Sequence, residues 1–271
     1  GCVMYAEHCI TRRPAAVKAL PLSPPGNCDL GMYKRALVNE VILMRFIHHP
    51  NIVRLYDVQK VGGHLYLIIE WMQGGDLLSE LFENAKEGLP EGRVLLYFKQ
   101  LILALEHCHR LSIAHCDIKP ENLLLCGFRK SILKLADMGQ SDFQGTLLQG
   151  RRGTAGYAAP EVDGFIKGTA IVVGMKYDAL KADIWSAGIV LWAMMDDRKF
   201  IMSSENQLNL KDEIIGMKIG ADTIQPLPRH CRSPLAADLL WKMLVADPNK
   251  RISIEGILAH PWFARSTPRL I

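Results

Sequence analysis

The spacing of hydrophobic and polar positions changes several times along the 271 residues. Cys2–Cys9 and Pro14–Leu22 read as short strands. Ser23-Pro24-Pro25-Gly26-Asn27 reads as a loop, because its Pro and Gly bar regular structure. Leu37, Val41 and Met44 stand at i, i+4 and i+7, which predicts a helix from Asp29 to His48 with one apolar face. Ile52–Val58 and His64–Glu70 flank Gly62-Gly63 and are rich in β-branched or bulky apolar residues, which predicts two strands. After Gly74-Gly75 the period becomes helical: Val94, Phe98, Leu101, Leu105 and Cys108 form a stripe across 93–111. The stretch 113–170 reads as loop-rich, with short strands near Asn122–Leu125 and Ile132–Leu135. Asp183–Met195 is apolar almost all round, with Asp183 at its start, which predicts a helix buried on every side. Ser233-Pro234 combines an N-cap serine with proline at the first helical position and opens a helix to Leu244. A last short helix is expected from Ser253 to His260. The result is a small strand-rich N-terminal part and a larger helical part, meeting near Gly74-Gly75.

Composition narrows the class of protein. Hydrophobic residues are 49% and charged residues 22%, which excludes disorder and collagen-like repeats. A formal net charge of +4 argues against a nucleic-acid coat or a polybasic membrane binder. No apolar run approaches ~18 residues, so no membrane-spanning helix is expected. The seven cysteines are irregularly spaced and form no CxxC, which points to reduced thiols in a cytoplasmic or nuclear protein. No signal peptide is visible, and a chain opening on Gly looks like a segment of something longer.

Chemistry concentrates in His115-Cys116-Asp117-Ile118-Lys119-Pro120-Glu121-Asn122. Within six residues an Asp can accept a hydroxyl proton, a Lys can neutralise phosphate and an Asn can hold a divalent cation. Ala136-Asp137-Met138-Gly139 places another carboxylate on a turn, and Gly153-Thr154-Ala155-Gly156-Tyr157-Ala158-Ala159-Pro160-Glu161 follows. A cluster of His107, Cys108, His109, His115 and Cys116 also invites a zinc reading, but no ligand quartet has the usual spacing.

These motifs resemble the eukaryotic protein kinase family, and the resemblance covers essentially the whole chain. HCDIKPEN is similar to the H-R-D-x-K-P-E-N catalytic loop of the serine/threonine branch. DMG at 137–139 stands for D-F-G, and APE at 159–161 is intact at the family's activation-segment spacing. DIWSAG (183–188), the D-P-x-x-R of 247–251 and HPWF (260–263) follow in family order. HPNIVRLYDV, GGDLL and the HPWF ending are closest in look to the calcium/calmodulin-regulated and AMP-activated group.

The resemblance implies an α+β, two-lobed kinase fold. Residues 1–72 would form a small β-rich N-lobe, cut to about four strands, and 73–271 a helical C-lobe. It implies transfer of the ATP γ-phosphoryl to protein Ser or Thr hydroxyls with Mg²⁺. Asp117 would orient the hydroxyl and take its proton, Lys119 would sit by the transferring phosphate, and Asn122 and Asp137 would hold the metal ions. Ala15-Ala16-Val17-Lys18 resembles the V-A-I-K strand, making Lys18 the phosphate anchor and Glu40 its ion-pair partner. Gly1-Cys2-Val3 resembles the end of the glycine-rich loop, whose first part would be absent. Val3, Ala16 and Leu124 would sandwich adenine, with Ile69 as gatekeeper. The Glu70 carbonyl and the Met72 N–H would bond the ring, and Asp76 would bind ribose. His109 and His115 would support the catalytic loop. Gly156–Glu161 would shape a platform for the residue after the acceptor.

The departures concern regulation and nucleotide binding: the missing part of the glycine-rich loop threatens ATP affinity, because the backbone N–H groups of that loop cover the phosphates, and Cys116 and Met138 bear on regulation more than on chemistry. The Arg before the catalytic Asp is Cys116, a non-RD pattern, and the usual phosphosite falls on Gly150. Activity would then be independent of activation-segment phosphorylation, with Thr146 and Ser141 left as sites off the usual register. Glu121 and Asp76 resemble acids that select Arg upstream of the acceptor in protein substrates. Neither nucleic acid nor membrane is expected as a partner. A pseudokinase scaffold, without efficient transfer, is the alternative.

Overall fold

The structure, a computed structural model, describes residues 2–24, 30–84, 88–143, 148–149, 152–163, 176–195 and 233–264. Gly1, Pro25, Gly26, Asn27, Asp29, Thr146 and Gly150, all named above, lie outside the described residues.

The N-terminal part is a four-stranded sheet in the order β1-β2-β4-β3. Strands β1 (Cys2–Glu7), β2 (Pro14–Pro21), β3 (Leu55–Val61) and β4 (His64–Glu70) are all antiparallel to their neighbours. Register follows from burial: Ala16 and Leu20 of β2 and Leu67 and Ile69 of β4 turn apolar side chains into the core. In β1, Val3 lies opposite Lys18, which brings the start of the chain over the residue that carries the site's cation. Helix α1 (Leu30–Phe46) packs on this sheet with Leu37, Glu40, Leu43 and Met44 buried. Glu40 lies on the inward face, as its spacing from Leu37 and Met44 requires.

The first strand of the pair predicted around Gly62-Gly63 begins later than its hydrophobicity suggests. Ile52 and Val53 do not join the sheet. Val53 N–H donates to the Leu135 carbonyl (2.9 Å), and Leu135 N–H donates to the Asn51 carbonyl (2.8 Å). The two apolar side chains are buried against the helical lobe instead, so the stretch is an inter-lobe connection and the strand starts at Leu55.

Helix α2 (Leu77–Glu83), which the periodicity does not announce, opens the C-terminal part. Helix α3 (Glu91–Arg110) forms its axis, with Val94, Phe98, Leu101, Leu105 and Cys108 all buried. A hairpin of β5 (Leu123–Cys126) and β6 (Ile132–Leu135) lies between α3 and the cleft. Strands β7 (Leu148–Gln149) and β8 (Lys176–Tyr177) pair, and α4 (Pro160–Asp163) follows the platform residues. Helix α5 (Ala179–Met195) is buried on every side, as its composition demands. It starts four residues before Asp183, which therefore sits in its second turn rather than at its start. Helix α6 (Pro234–Met243) is capped by Ser233, whose side chain accepts from the Ala236 N–H. The last predicted helix is α7 (Ile254–Leu258), capped by Ser253 and ending at Ala259. A further short helix, α8 (Pro261–Ala264), follows beyond the predicted stretch and opens on proline at its first position. The fold is thus the two-lobed α+β arrangement. Among the described residues no helix is long and apolar enough to cross a membrane.

Candidate active site

Between the lobes lies a cleft of about 230 Å³. Its walls include Val3, Ala16, Lys18 and Glu40 from the first lobe, Ile69, Glu70 and Met72 from the connection, and Asn122, Leu124 and Asp137 from the second. Trp71, Met44 and Val53 also line it, and the sequence reading did not single these out. They are apolar side chains of ordinary core type, with no local signal separating a cleft wall from core.

Lys18 reaches across the cleft. Its Nζ donates to Glu40 Oε1 at 2.8 Å and to Asp137 Oδ1 at 2.9 Å. Burial alone would pull the lysine pKa down, but the two carboxylates outweigh it and hold it above its ordinary value. Asp137 responds in the opposite sense. Burial pushes its carboxyl up, while Lys18 and the Gly139 N–H hold it below the usual carboxylate range. Asp137 sits at φ +65°, a left-handed conformation that Asp tolerates better than most residues. Met138 follows, buried in the slot where the family pattern has Phe.

The second cluster surrounds Asp117. Thr154 donates its hydroxyl to Asp117 Oδ1 (2.7 Å) and accepts from Lys119 Nζ (2.7 Å). Lys119 also lies 3.1 Å from Asp117 Oδ2. The Asn122 amide nitrogen donates to the Asp117 carbonyl (2.8 Å) and to Oδ2 (3.1 Å). With its nitrogen committed, Asn122 has its amide oxygen to offer a cation. A turn of 3₁₀ helix over Pro120–Asn122 carries this amide into the cleft between catalytic loop and β5.

Buried polar residues set this loop in place. Asp183 accepts from the N–H groups of His115 (2.8 Å) and Cys116 (2.9 Å) and pairs with His109 Nε2 (3.0 Å). His115 Nδ1 accepts from the Asp117 N–H (3.3 Å), so its other nitrogen carries the proton and donates to the Ala136 carbonyl (3.0 Å). That single ring ties the loop of Asp117 to the segment of Asp137. His107 instead stacks on His49, with centroids 5.2 Å apart, on the other side of α3. Among the described residues no group of three or more His, Cys, Asp or Glu is arranged for a metal ion, which removes the zinc reading there.

The platform after Thr154 is anchored from below. Ser186 donates to the Tyr157 carbonyl (2.8 Å), and Tyr157, Ala158 and Ala159 are buried. Glu161 takes a two-pronged ion pair from Arg251, at 2.6 and 2.9 Å.

Asp76 accepts from the Ser79 N–H through Oδ1 at 2.7 Å and caps α2, while its backbone pairs with Leu124 of the cleft wall. One sequence expectation changes. Ser141 is buried, its hydroxyl donating to the His115 carbonyl at 3.2 Å, so it offers no phosphorylation site in this arrangement.

Comparison with known proteins agrees with this geometry. The family model described as "Protein kinase domain" matches residues 1–263. A Dictyostelium discoideum protein named "Probable serine/threonine-protein kinase" is 40% identical over 232 residues, covering 85% of this chain and 25% of its own length. Serine/threonine-protein kinase GIN4 of Saccharomyces cerevisiae is 36% identical over 274 residues, covering 96% of this chain and 22% of its own length. Serine/threonine protein kinase OSK3 of Oryza sativa is 35% identical over 273 residues, covering 100% of this chain and 49% of its own length. The chain therefore spans between about a fifth and a half of the length of these relatives. With the match running almost from end to end, the chain belongs to the protein kinase family.

Proposed function

We propose that this chain is an active, non-RD protein kinase that transfers the γ-phosphoryl of ATP to serine or threonine hydroxyls of protein substrates. The observation that carries the reading is the pair of assembled clusters: Lys18–Glu40–Asp137 across the cleft, and Asp117–Lys119–Asn122–Thr154 at its mouth. An inactive scaffold has no need to keep both in register.

The residues fit a magnesium nucleotide. Mg²⁺ takes hard oxygen ligands, one or two from protein carboxylates and the rest from phosphate and water. Asn122 through its amide oxygen and Asp137 through Oδ2 supply that donor set, with no all-protein cage required. The apolar walls Val3, Ala16 and Leu124 suit a flat purine, and the Glu70 carbonyl and Met72 N–H lie where the strand ladder of β4 ends. When bound, the metal nucleotide supplies the phosphoryl group and most of the charge neutralisation. The chain's own residues do the positioning. Asp117 orients the acceptor hydroxyl and takes its proton. Lys119 places a positive charge beside it, and Thr154 holds the Asp117 carboxylate in one rotamer. Lys18, fixed by Glu40, grips the phosphates.

The protein substrate is read as one with Arg upstream of the acceptor. Glu121 supports this: it is exposed at the edge of the cleft, and its charge reaches the platform residue Tyr157. Asp76, committed to its cap, is left out of that role. The test is transfer of labelled phosphate from ATP to generic basic substrates. Wild type should transfer and Asp137→Ala should not; a wild-type rate no higher than that of Asp137→Ala would favour the pseudokinase scaffold.

A further inference from the structure

Cys116 stands where the family pattern carries an arginine, and it cannot replace that charge. Burial, then the Asp183 carboxylate, push its thiol pKa upward, so it stays neutral. A cation nevertheless occupies its surroundings. Arg152, from the far end of the activation segment, lines the same small crevice as Cys116, Tyr177 and Asp183.

We propose that Arg152 is a positioning residue for phosphoryl transfer: paired with Asp142, it holds the two ends of the activation segment together and so sets Thr154 on Asp117 without any phosphate. This rests on the kinase reading above and extends it to how the site is held.

Each link is a contact of the structure. Arg152 Nη2 lies 2.9 Å from Asp142 Oδ2, and Nη1 donates to the Gln140 carbonyl at 3.0 Å. A planar guanidinium spends two of its donors on two residues of the opposite strand of the segment, which fixes orientation as well as distance. Asp142 is itself fixed to the catalytic loop. Its N–H donates to the Ala114 carbonyl (3.0 Å), and its carbonyl accepts from the Ala114 N–H (3.1 Å). Ala114 precedes His115, whose N–H is held by Asp183. On the other side, Gly153 follows Arg152 directly, and a Cβ at that position would collide with the Cys116 carbonyl. Thr154 comes next and donates to Asp117. Arg152 thus closes a ring that runs from the catalytic loop through Asp142 and back to the catalytic Asp. Both charged side chains are partly exposed, at 33% and 23%, so the pair carries no large burial penalty and can form or open with the segment. In a phosphorylated kinase the anion sits on the segment and the cation on the catalytic loop. Here the cation is on the segment and the anion is a built-in carboxylate, which explains why neither an arginine at position 116 nor a phosphosite at position 150 is needed.

The experiment uses the full chain treated with a broad phosphatase, with loss of phosphate confirmed by mass spectrometry. Five proteins are compared: wild type, Arg152→Gln, Arg152→Lys, Arg152→Asp, and the swap Arg152→Asp with Asp142→Arg. Two readouts are taken, kcat and KM for peptide and ATP, and hydrogen exchange of the amides over 152–158. Arg152→Gln should lower kcat by about 10- to 100-fold, the range expected for a misplaced catalytic constellation. Its KM for ATP should stay within about twofold, since Arg152 does not line the nucleotide cleft. Exchange over 152–158 should become faster. Arg152→Lys should recover part of the rate, and the swap should exceed Arg152→Asp alone. Unchanged exchange in Arg152→Gln overturns the proposal whatever the transfer rate, and so does a swap no better than the single reversal. A wild type with no transfer at all refutes the kinase reading instead, while the exchange comparison still decides the role of Arg152.

Discussion

Asp117 and Asp137 are both carboxylates held by polar neighbours, not by packing. Replacing either oxygen by an amide nitrogen keeps shape and volume. Asp117→Asn should therefore lower transfer by about 10²- to 10⁴-fold, the range for removing a general base, and leave the melting temperature almost unchanged. An Asp117→Asn protein with near wild-type transfer would refute the assignment of that loop. The ion pair of Lys18 and Asp137 makes a different prediction, about pH. Asp137 is depressed from its ordinary 3.8, so its contribution is complete above that value and lost as pH falls through the depressed one. Lys18 is raised from 10.5, so its contribution is complete below that value and lost as pH rises through the raised one. Across roughly pH 5 to 9 neither group changes its charge in either state. The difference in denaturant stability between wild type and Asp137→Asn should then be flat over that window. A slope near neutrality would assign the change to another group.

At the scale of elements, the closest approaches are made by glycines and a buried ion pair. Gly153 has φ +84°, and a Cβ there would collide with the Cys116 carbonyl. Gly153→Ala must push the segment away from the catalytic loop, taking Thr154 off Asp117. A loss of transfer of about 10²-fold with a folded protein is expected, and a transfer assay with a thermal melt checks both halves. Arg251 is fully buried and Glu161 is 8% exposed. Removing one partner leaves an uncompensated charge, which costs about 3–5 kcal/mol. Arg251→Met should thus lower the melting temperature by roughly 10 °C. Adding Glu161→Leu should restore only part, because Arg251 also serves the Lys181 and Val245 carbonyls. These elements differ in how far the sequence revealed them. Asp117, Lys119 and Asn122 were legible as candidates because they lie within six residues of one contiguous loop that resembles the family's catalytic motif. Lys18 and Glu40 were legible through their flanking pattern and their place on an inward helix face. Helix α2 was not, because seven residues are too few for a period; its one signal was Asp76 standing before Leu77 and Leu78, which doubled as a candidate binding acid. Ile52 and Val53 look like strand residues, and only the contact with Leu135 shows that they bridge the lobes. The pairing of Arg152 with Asp142 depends on how the segment doubles back, which no local pattern encodes.

At the scale of the whole molecule, the formal net charge of +4 sets an obstacle for the proposed substrate. A peptide carrying Arg is repelled, weakly, by the protein as a whole. Screening limits that repulsion to about 8 Å at physiological salt, so a carboxylate within contact distance of the peptide decides recognition. In the function proposed above that acid is Glu121, which is exposed at the edge of the cleft. Asp117 and Asp137 are engaged by Lys119 and Lys18, and Asp76 by the Ser79 N–H. Arg three residues before the acceptor should therefore raise kcat/KM, and Glu121→Gln should cut that advantage by about 1.5- to 5-fold, the worth of one exposed charge pair. Glu121→Arg should go further and favour Glu over Arg at the same peptide position. Raising salt should weaken the Arg preference of wild type and leave the rate on an Ala-substituted peptide unchanged. A peptide array over wild type, Glu121→Gln and Glu121→Arg at two salt concentrations measures all three effects. Identical Arg preference in wild type and Glu121→Gln would move the recognition of basic substrates away from Glu121.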